Sequence, residues 1–534
     1  MKTHKFNILI TTIVVALLMG FSSCTEDLEV EPIDDDATTA NMVYDEVSSY
    51  KQVLAKLYAG LAVTGQQGPA GNADIQGIDE GFSNYLRQYW VAQEIPTDEA
   101  VVSWSDEGLP EYNYQAWGSS NDFVMALYSR IFYQITLCNE FIRESSEGKL
   151  SDRGFSESEK EKLREFRAEA RFLRAFSYWH ALDLFGEVPL VTEADGIGAY
   201  QPEQASKADI FNFIESELTD IEGNLAEPLN NEYARVDKAA AWTLLAKLYL
   251  NAEVYIGEQK YTECITYCDN VINSAYDINN EYDHLFLADN HTANGIIFPI
   301  AFDGQNTRTW GGTTFIISAA IGGEMNPQNY GSQEQWAGHR VTKQFFKKFD
   351  ADTTYDDRAM FFTKGQSLEI DDIAEFSQGL AAPKFKNITS TGGSGSDATF
   401  PDTDYPMFRL ADVYLMYAEA VLRGGTGGSE STAVTLINDL RERAYGTDYS
   451  AEGEISTADL TLDFVLDERA RELYWEGHRR TDLIRYGYFT SSDYVWAWKG
   501  NTQEGQATDD MYRLYPIPAS ELNSNPNLEQ NDGY

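Results

Sequence analysis

Residues 468–487, ERARELYWEGHRRTDLIRYG, combine more charge than an ordinary core helix with more apolar surface than a solvated one. Apolar or small residues fall near helical spacing at Leu466, Ala470, Leu473, Gly477 and Ile484. A tyrosine and a tryptophan stand among the arginines, which favours a helix packed on both sides whose ions pair with other segments. The alternative is a solvated helix, in which Glu476 pairs locally with Arg479 and Arg480.

Composition limits the possible partners. The chain has 534 residues, enough to bury a sizeable core, and 13% of them are aromatic. This aromatic content indicates exposed stacking surface in addition to core. The formal net charge of −45 argues against nucleic acid and anionic lipid surfaces, which would repel the chain, and carries no penalty for a neutral ligand.

The rest of the sequence predicts a mainly helical fold. Periodicity indicates helices over residues 42–61, 121–142, 161–185, 209–225, 236–252, 261–274, 412–422 and 432–443. Small residues at close-approach points make 236–252 and 261–274 similar to a tetratricopeptide hairpin, and the last two helices predict a second one. We therefore expect stacked helical hairpins that bury a continuous core.

Long irregular segments interrupt the predicted stack. They cover residues 63–120, 290–340, 363–405 and 488–515, and hold most of the glycines and many tryptophans. A compact fold rarely keeps such segments without a use, so we expect them to form a ligand-binding surface.

The N-terminus is typical of a secretory signal. Lys2 and Lys5 precede an apolar run over residues 6–19, which is too short to span a membrane stably. Ser22-Ser23-Cys24 resembles a lipobox, which predicts a signal peptide over 1–23 and lipidation of Cys24. Residues 24–40 then form an acidic tether, and 41–534 form a single α-helical domain. The alternative is a simple signal peptide with an incidental cysteine.

Several long motifs resemble one family. They are residues 468–487 quoted above, together with FRAEARFLRAFSYWHALDLFGEVPLV at 166–191, YPMFRLADVYLMYAEAVLR at 405–423, LINDLRERA at 436–444 and LYPIPASELNSNPNLEQNDGY at 514–534. They are similar to the motifs of the SusD/RagB family, the surface glycan-binding lipoproteins of Bacteroidetes. The segments 63–81, EIPTDE at 94–99, TRTWGGTTF at 307–315 and DYVWAWKG at 493–500 resemble its starch-binding branch.

The resemblance implies a set of binding residues. In the starch-binding branch an arc of aromatic side chains follows the curve of an α-glucan helix, and the matching positions are Trp104, Trp310 and Trp336. The matching polar positions are Asp79 and Arg87, while Glu107 is a carboxylate where the branch has an amide. An indole stacks on the C–H face of a pyranose, and charged groups bind its hydroxyls.

The resemblance also suggests a metal site. Some relatives carry calcium, and the oxygens of Asp402 and Asp404 suit a hard cation. His291 stands where a carboxylate ligand is expected. The alternative is a loop with two solvated aspartates. No other cofactor is implied.

The resemblance implies a non-enzymatic protein that binds starch or a related α-glucan. It would be lipid-anchored in the outer membrane, face the cell exterior and act with a SusC-like TonB-dependent transporter. One alternative is a glycoside hydrolase, although no short catalytic signature stands out and carboxylate pairs are guaranteed by 85 acidic residues. A second alternative is a peptide-binding helical-repeat scaffold.

Overall fold

The computed structural model describes residues 43–196, 198, 201–349 and 355–534. The predicted signal peptide, Cys24 and the tether lie outside the described residues. The chain divides into two compact units, Met1–Tyr50 and Lys51–Tyr534. Apart from the first residues of helix Val47–Ala62, the architecture that follows belongs to the second unit. A single domain over 41–534 stays a prediction. In the described part, no helix is both long and apolar enough to cross a bilayer.

The predicted mainly helical class is confirmed. The helices are α1 (Val47–Ala62), α2 (Tyr85–Glu94), α3 (Pro110–Tyr114), α4 (Asp122–Glu144), α5 (Glu147–Asp152), α6 (Glu157–Phe185), α7 (Lys207–Ile221), α8 (Lys238–Leu250), α9 (Ala252–Ile256), α10 (Tyr261–Ile272), α11 (Gly312–Ala319), α12 (Lys343–Phe346), α13 (Leu410–Leu422), α14 (Glu430–Tyr445), α15 (Leu462–Leu473), α16 (Arg479–Arg485) and α17 (Ala519–Ser524).

The long helices pack against one another, most of them with a helix that is near in the chain. Helix α8 packs on α10 and α13 on α14, which are the two predicted hairpins, and α10 also packs on α13. Helix α6 packs on both α4 and α7. It begins four residues before its predicted start, because Ser156 and Glu159 form a capping box.

Short strands connect the loops to the helical body. They are β1 (Val101–Val102), β2 (Val188–Pro189), β3 (Gln204–Ala205), β4 (Ile296–Ile300), β5 (His339–Arg340) and β6 (Tyr405–Arg409). They pair antiparallel as β1 with β5, β2 with β3 and β4 with β6. The β1–β5 pair joins two of the segments predicted to be irregular.

Residues 468–487 do not form the single helix that their spacing predicted. Helix α15 ends at Leu473 and α16 begins at Arg479. Between them Trp475 and Gly477 have φ of 64° and 80°. A positive φ is costly for tryptophan. Two buried glutamates stabilise this break, since Gly477 N donates to Glu94 Oε1 at 2.6 Å and Trp475 N donates to Glu99 Oε2 at 3.2 Å.

Most ions of residues 468–487 also pair with other segments, as predicted, although Glu468 binds Arg471 and Asp482 binds Arg469 and Arg485 within the stretch. Glu476 binds Lys384 and Arg409 instead of the arginines that follow it. Arg479 binds Asp98, and Arg480 binds Asp183. These groups are buried, so each ion's desolvation must be offset by its partners.

Candidate functional site

Three indoles from distant loops lie side by side. Trp104 follows β1, Trp310 precedes α11 and Trp336 precedes β5. The ring centroids of Trp104 and Trp336 are 6.3 Å apart, and those of Trp336 and Trp310 are 6.2 Å apart. All three residues are half-buried, so each stays partly accessible to solvent. We call these residues the indole arc.

The β1–β5 pair positions one end of the indole arc. Ser103 N donates to Gly338 O at 3.0 Å, and Trp104 Nε1 donates to Trp336 O at 2.9 Å. A Cβ on Gly338 would lie 2.5 Å from Cζ2 of Trp104. Only glycine therefore leaves room for this indole on the partner strand.

Buried rings support the indole arc from below. Trp104 lies 6.0 Å from Phe315 and 5.5 Å from His339, between ring centroids. The ring centroid of His339 lies 4.5 Å from that of Trp90. The Trp90 ring in turn lies 5.6 Å from that of Trp475, in the break between α15 and α16. Burial keeps the pKa of His339 well below its usual value, and Arg87 and Arg340 lower it further, so this support is uncharged.

Arg87 connects the glycine-rich segment 63–81 to the indole arc. Its Nη1 donates to Gly81 O at 2.8 Å and to Trp310 O at 3.3 Å, and its guanidinium carbon lies 4.4 Å from the Phe315 ring centre. Burial lowers the pKa of Arg87 to about 10, against the raising effects of Asp106 and Asp79. The group is charged at neutral pH and offers a ligand only its remaining N–H donors.

The two predicted acidic residues lie in loops beside the indole arc. Asp79 is exposed, and its Oδ1 accepts a hydrogen bond from Gly81 N at 2.7 Å. Glu107 is exposed in the loop that carries Trp104. The structure therefore brings Trp104, Trp310, Trp336 and Arg87 together, with Asp79 in electrostatic reach of Arg87. Such a face can stack several sugar rings and hydrogen-bond their hydroxyls.

Comparisons with known proteins identify the family. Residues 352–534 match the sequence model of the SusD family, and residues 36–250 match a family described as starch-binding and associating with the outer membrane. The chain is 35% identical to the starch-binding protein SusD of Bacteroides thetaiotaomicron, over 100% of both chains. The chain belongs to the SusD/RagB family. It is also 27% identical to SusD-like protein P2 of Formosa agariphila, over 79% of this chain and 83% of that one.

Solved structures confirm the SusD-like fold. A SusD homolog from Bacteroides thetaiotaomicron superposes with a TM-score of 0.72 at 19% identity, covering 94% of this chain and 100% of the other. Surface glycan-binding protein A from Bacteroides fluxus superposes with a TM-score of 0.70 at 20% identity, covering 91% of this chain and 99% of the other. At these identities the likeness establishes the architecture alone.

Asp402 and Asp404 do not fit the calcium site that the resemblance suggested. Asp402 accepts hydrogen bonds from Gly304 N at 2.8 Å and Ser396 N at 2.6 Å. Asp404 accepts from Phe302 N at 2.7 Å and from the Tyr233 hydroxyl, and burial raises its pKa to about 6. Both carboxylates are thus satisfied by protein donors. Within the described ranges, no group of three or more Asp, Glu, His or Cys could hold a metal.

His291, the expected carboxylate position in the SusD-like pattern, lies beside Tyr233, with 6.0 Å between ring centroids. It adds no oxygen ligand to Asp402 and Asp404. We therefore assign the two aspartates a role in fixing loops and propose no metal for them.

Two residues at the Trp310 end of the indole arc were not among the predicted site residues. Phe400 lies 5.0 Å from Trp310 between ring centroids, and the Arg308 guanidinium lies 4.6 Å from the centre of the Phe400 ring. Arg308 is inside the quoted TRTWGGTTF run, but Phe400 is distant in sequence and no local pattern connects it to Trp310. A separate cavity of about 710 Å³ lies between α6 and the C-terminal segment and includes none of the three indoles.

Proposed function

We propose that the protein binds starch or a related α-glucan at the cell surface without catalysis, by stacking successive glucose rings on the indole arc. The observation that carries this proposal is the side-by-side placement of Trp104, Trp336 and Trp310, all three partly accessible to solvent. Membership of the SusD/RagB family, whose characterised function is carbohydrate binding, and identity to a starch-binding protein support the same ligand class.

The expected affinity is modest. Stacking gives about 0.5–1.5 kcal/mol per ring beyond its area burial. Three stacking indoles with a few hydrogen bonds correspond to a binding free energy of about 4–8 kcal/mol, which is a dissociation constant in the millimolar to micromolar range. A long polymer that contacts many anchored copies compensates for weak single sites.

Affinity electrophoresis of the purified protein on a panel of glycans tests the proposal. We expect retarded migration in amylopectin and normal migration in β-glucan, mannan and galactan gels, because in the proposed function the indole arc follows the curve of an α-glucan. Serum albumin serves as the non-binding control. Release of reducing sugar from soluble starch would instead favour the hydrolase alternative. Capture of peptides without retention by starch would favour the helical-repeat scaffold. Normal migration in every α-glucan would overturn the starch assignment.

We further propose that Cys24 carries the lipid anchor and that the protein delivers glycan to a SusC-like TonB-dependent transporter. The lipobox-like Ser22-Ser23-Cys24 and the match to a family associating with the outer membrane support this placement. A Cys24→Ala variant is expected to leave the outer-membrane fraction and to lose protease accessibility on intact cells. Tagged wild-type protein is expected to co-purify an outer-membrane transporter. Equal membrane retention of the variant would contradict the anchor.

A further inference from the structure

We propose that Arg308 forms an additional subsite at the Trp310 end of the indole arc, where its guanidinium hydrogen-bonds the hydroxyls of a glucose unit beyond those stacked on the three indoles. This inference rests on the glucan-binding function proposed above and extends it by one specificity-determining residue.

Phe400 provides a common floor for Arg308 and Trp310. The Phe400 ring is 3% exposed, because the other two side chains lie against it. The indole is at 5.0 Å from its centroid and the guanidinium carbon at 4.6 Å from its centre. Arg308 itself is exposed and Trp310 half-buried. A glucan chain that leaves Trp310 in this direction therefore meets the guanidinium next.

The Arg308 N–H groups are available to a neutral ligand, although the charge of Arg308 acts on Asp397 and, after the hydrogen bond from Phe400 N, helps to lower the pKa of that carboxyl. Arg308 takes part in none of the salt bridges found in the described part of the chain. The nearby Asp397 carboxylate already accepts hydrogen bonds from Thr399 N at 2.8 Å and Phe400 N at 3.0 Å. The contact with Phe400 holds the guanidinium over the ring without using its N–H groups. An arginine presents five donors, which suits the vicinal hydroxyls of a pyranose.

Packing of the flanking loops holds Arg308 and Phe400 in place. Asp402 joins the two loops by accepting from Gly304 N at 2.8 Å and Ser396 N at 2.6 Å. A Cβ on Gly304 would lie 2.3 Å from Phe400 O, and one on Gly68 would lie 1.9 Å from Arg308 O. Backbones in such close contact leave little freedom, so part of the ordering cost of binding is already met before the ligand arrives.

A chain-length series tests the subsite. Isothermal titration of maltotriose through maltooctaose is carried out with the wild type and with Arg308→Gln. We expect the variant to match the wild type for short oligosaccharides that occupy only the indole arc. For the longest oligosaccharides we expect about tenfold weaker binding, the loss typical of a hydrogen bond to a charged group. Unchanged thermal unfolding shows that the variant is folded.

The control is Arg164→Gln, which removes a half-buried arginine bonded to Glu147 at 2.9 Å, far from the indole arc in sequence, and should leave every affinity unchanged. Equal loss at all lengths would overturn the subsite, because Arg308 would then act by positioning Trp310. Equal affinity of wild type and Arg308→Gln at all lengths would also overturn it. If the wild type binds no maltooligosaccharide, the proposed function itself fails, which is a distinguishable result.

Discussion

Replacing Glu472 with alanine is expected to lower the free energy of unfolding by about 3–5 kcal/mol, the usual cost of removing one partner from a buried ion cluster. Glu472 accepts from Arg409 at 3.0 Å and from Arg443 at 2.6 Å, and lies 3.4 Å from Arg358. Its removal leaves three buried cations short of one counter-charge. Denaturant unfolding followed by circular dichroism measures the loss.

The control for this prediction is Glu442→Ala, which changes an exposed glutamate on α14 and should alter stability by no more than about 0.5 kcal/mol. Equal effects of the two substitutions would contradict the role of the buried cluster.

The pH dependence of the stability of wild type and Glu472→Ala gives a second measurement. Burial would raise the pKa of Glu472, but Arg443, Arg409 and Arg358 outweigh it and lower the pKa from 4.5 to about 2. The folded pKa lies below the unfolded one, so the stabilisation is present above pH 4.5 and is lost as the pH falls toward 2. The stability difference between wild type and Glu472→Ala should therefore shrink in that window.

The double variant Trp310→Ala/Trp336→Ala is expected to lose retention in amylopectin gels completely. Each substitution removes an indole face and its buried area, and stacking alone contributes about 0.5–1.5 kcal/mol per ring. The two losses together amount to more than a hundredfold in affinity once area burial of about 1.5–3 kcal/mol per side chain is included. Starting from micromolar to millimolar binding, such a loss is beyond detection by gel retardation.

The matched control is Trp242→Ala. Trp242 is half-buried like the arc residues, but it lies on α8, where its Nε1 donates to Glu222 at 2.9 Å. Its removal should leave retention intact. Retention of the double variant, or loss in the Trp242 variant, would show that glycan binds elsewhere than on the indole arc.

The helical body was predictable from sequence because its helices are long and periodic. The break at Trp475 was not, since it depends on Glu94 and Glu99, which are distant in sequence and bind its backbone N–H groups. Helix α2 was also missed within the segment predicted to be irregular. Nine of its residues, Tyr85, Leu86, Gln88, Tyr89, Trp90, Val91, Ala92, Gln93 and Glu94, are buried. The helix therefore lacks the solvent-exposed face that gives a surface helix its regular alternation of polar and apolar residues.

The candidate site was predictable only through family resemblance. Nothing local in the sequence joins Trp104 to Trp336, because the β1–β5 pair that brings them together has two residues in each strand. Phe400 was missed for the same reason. Asp402 and Asp404 suggested calcium because a sequence shows clustered carboxylates but not the backbone N–H groups that occupy them.

We expect the indole arc to be the glucan-binding face of the protein. A crystal structure of the protein with maltoheptaose tests it most directly. We expect glucose rings stacked on Trp104, Trp336 and Trp310 in succession, with hydroxyls within hydrogen-bond distance of Arg87. An oligosaccharide bound elsewhere on the molecule, with the three indoles still exposed to solvent, would contradict it.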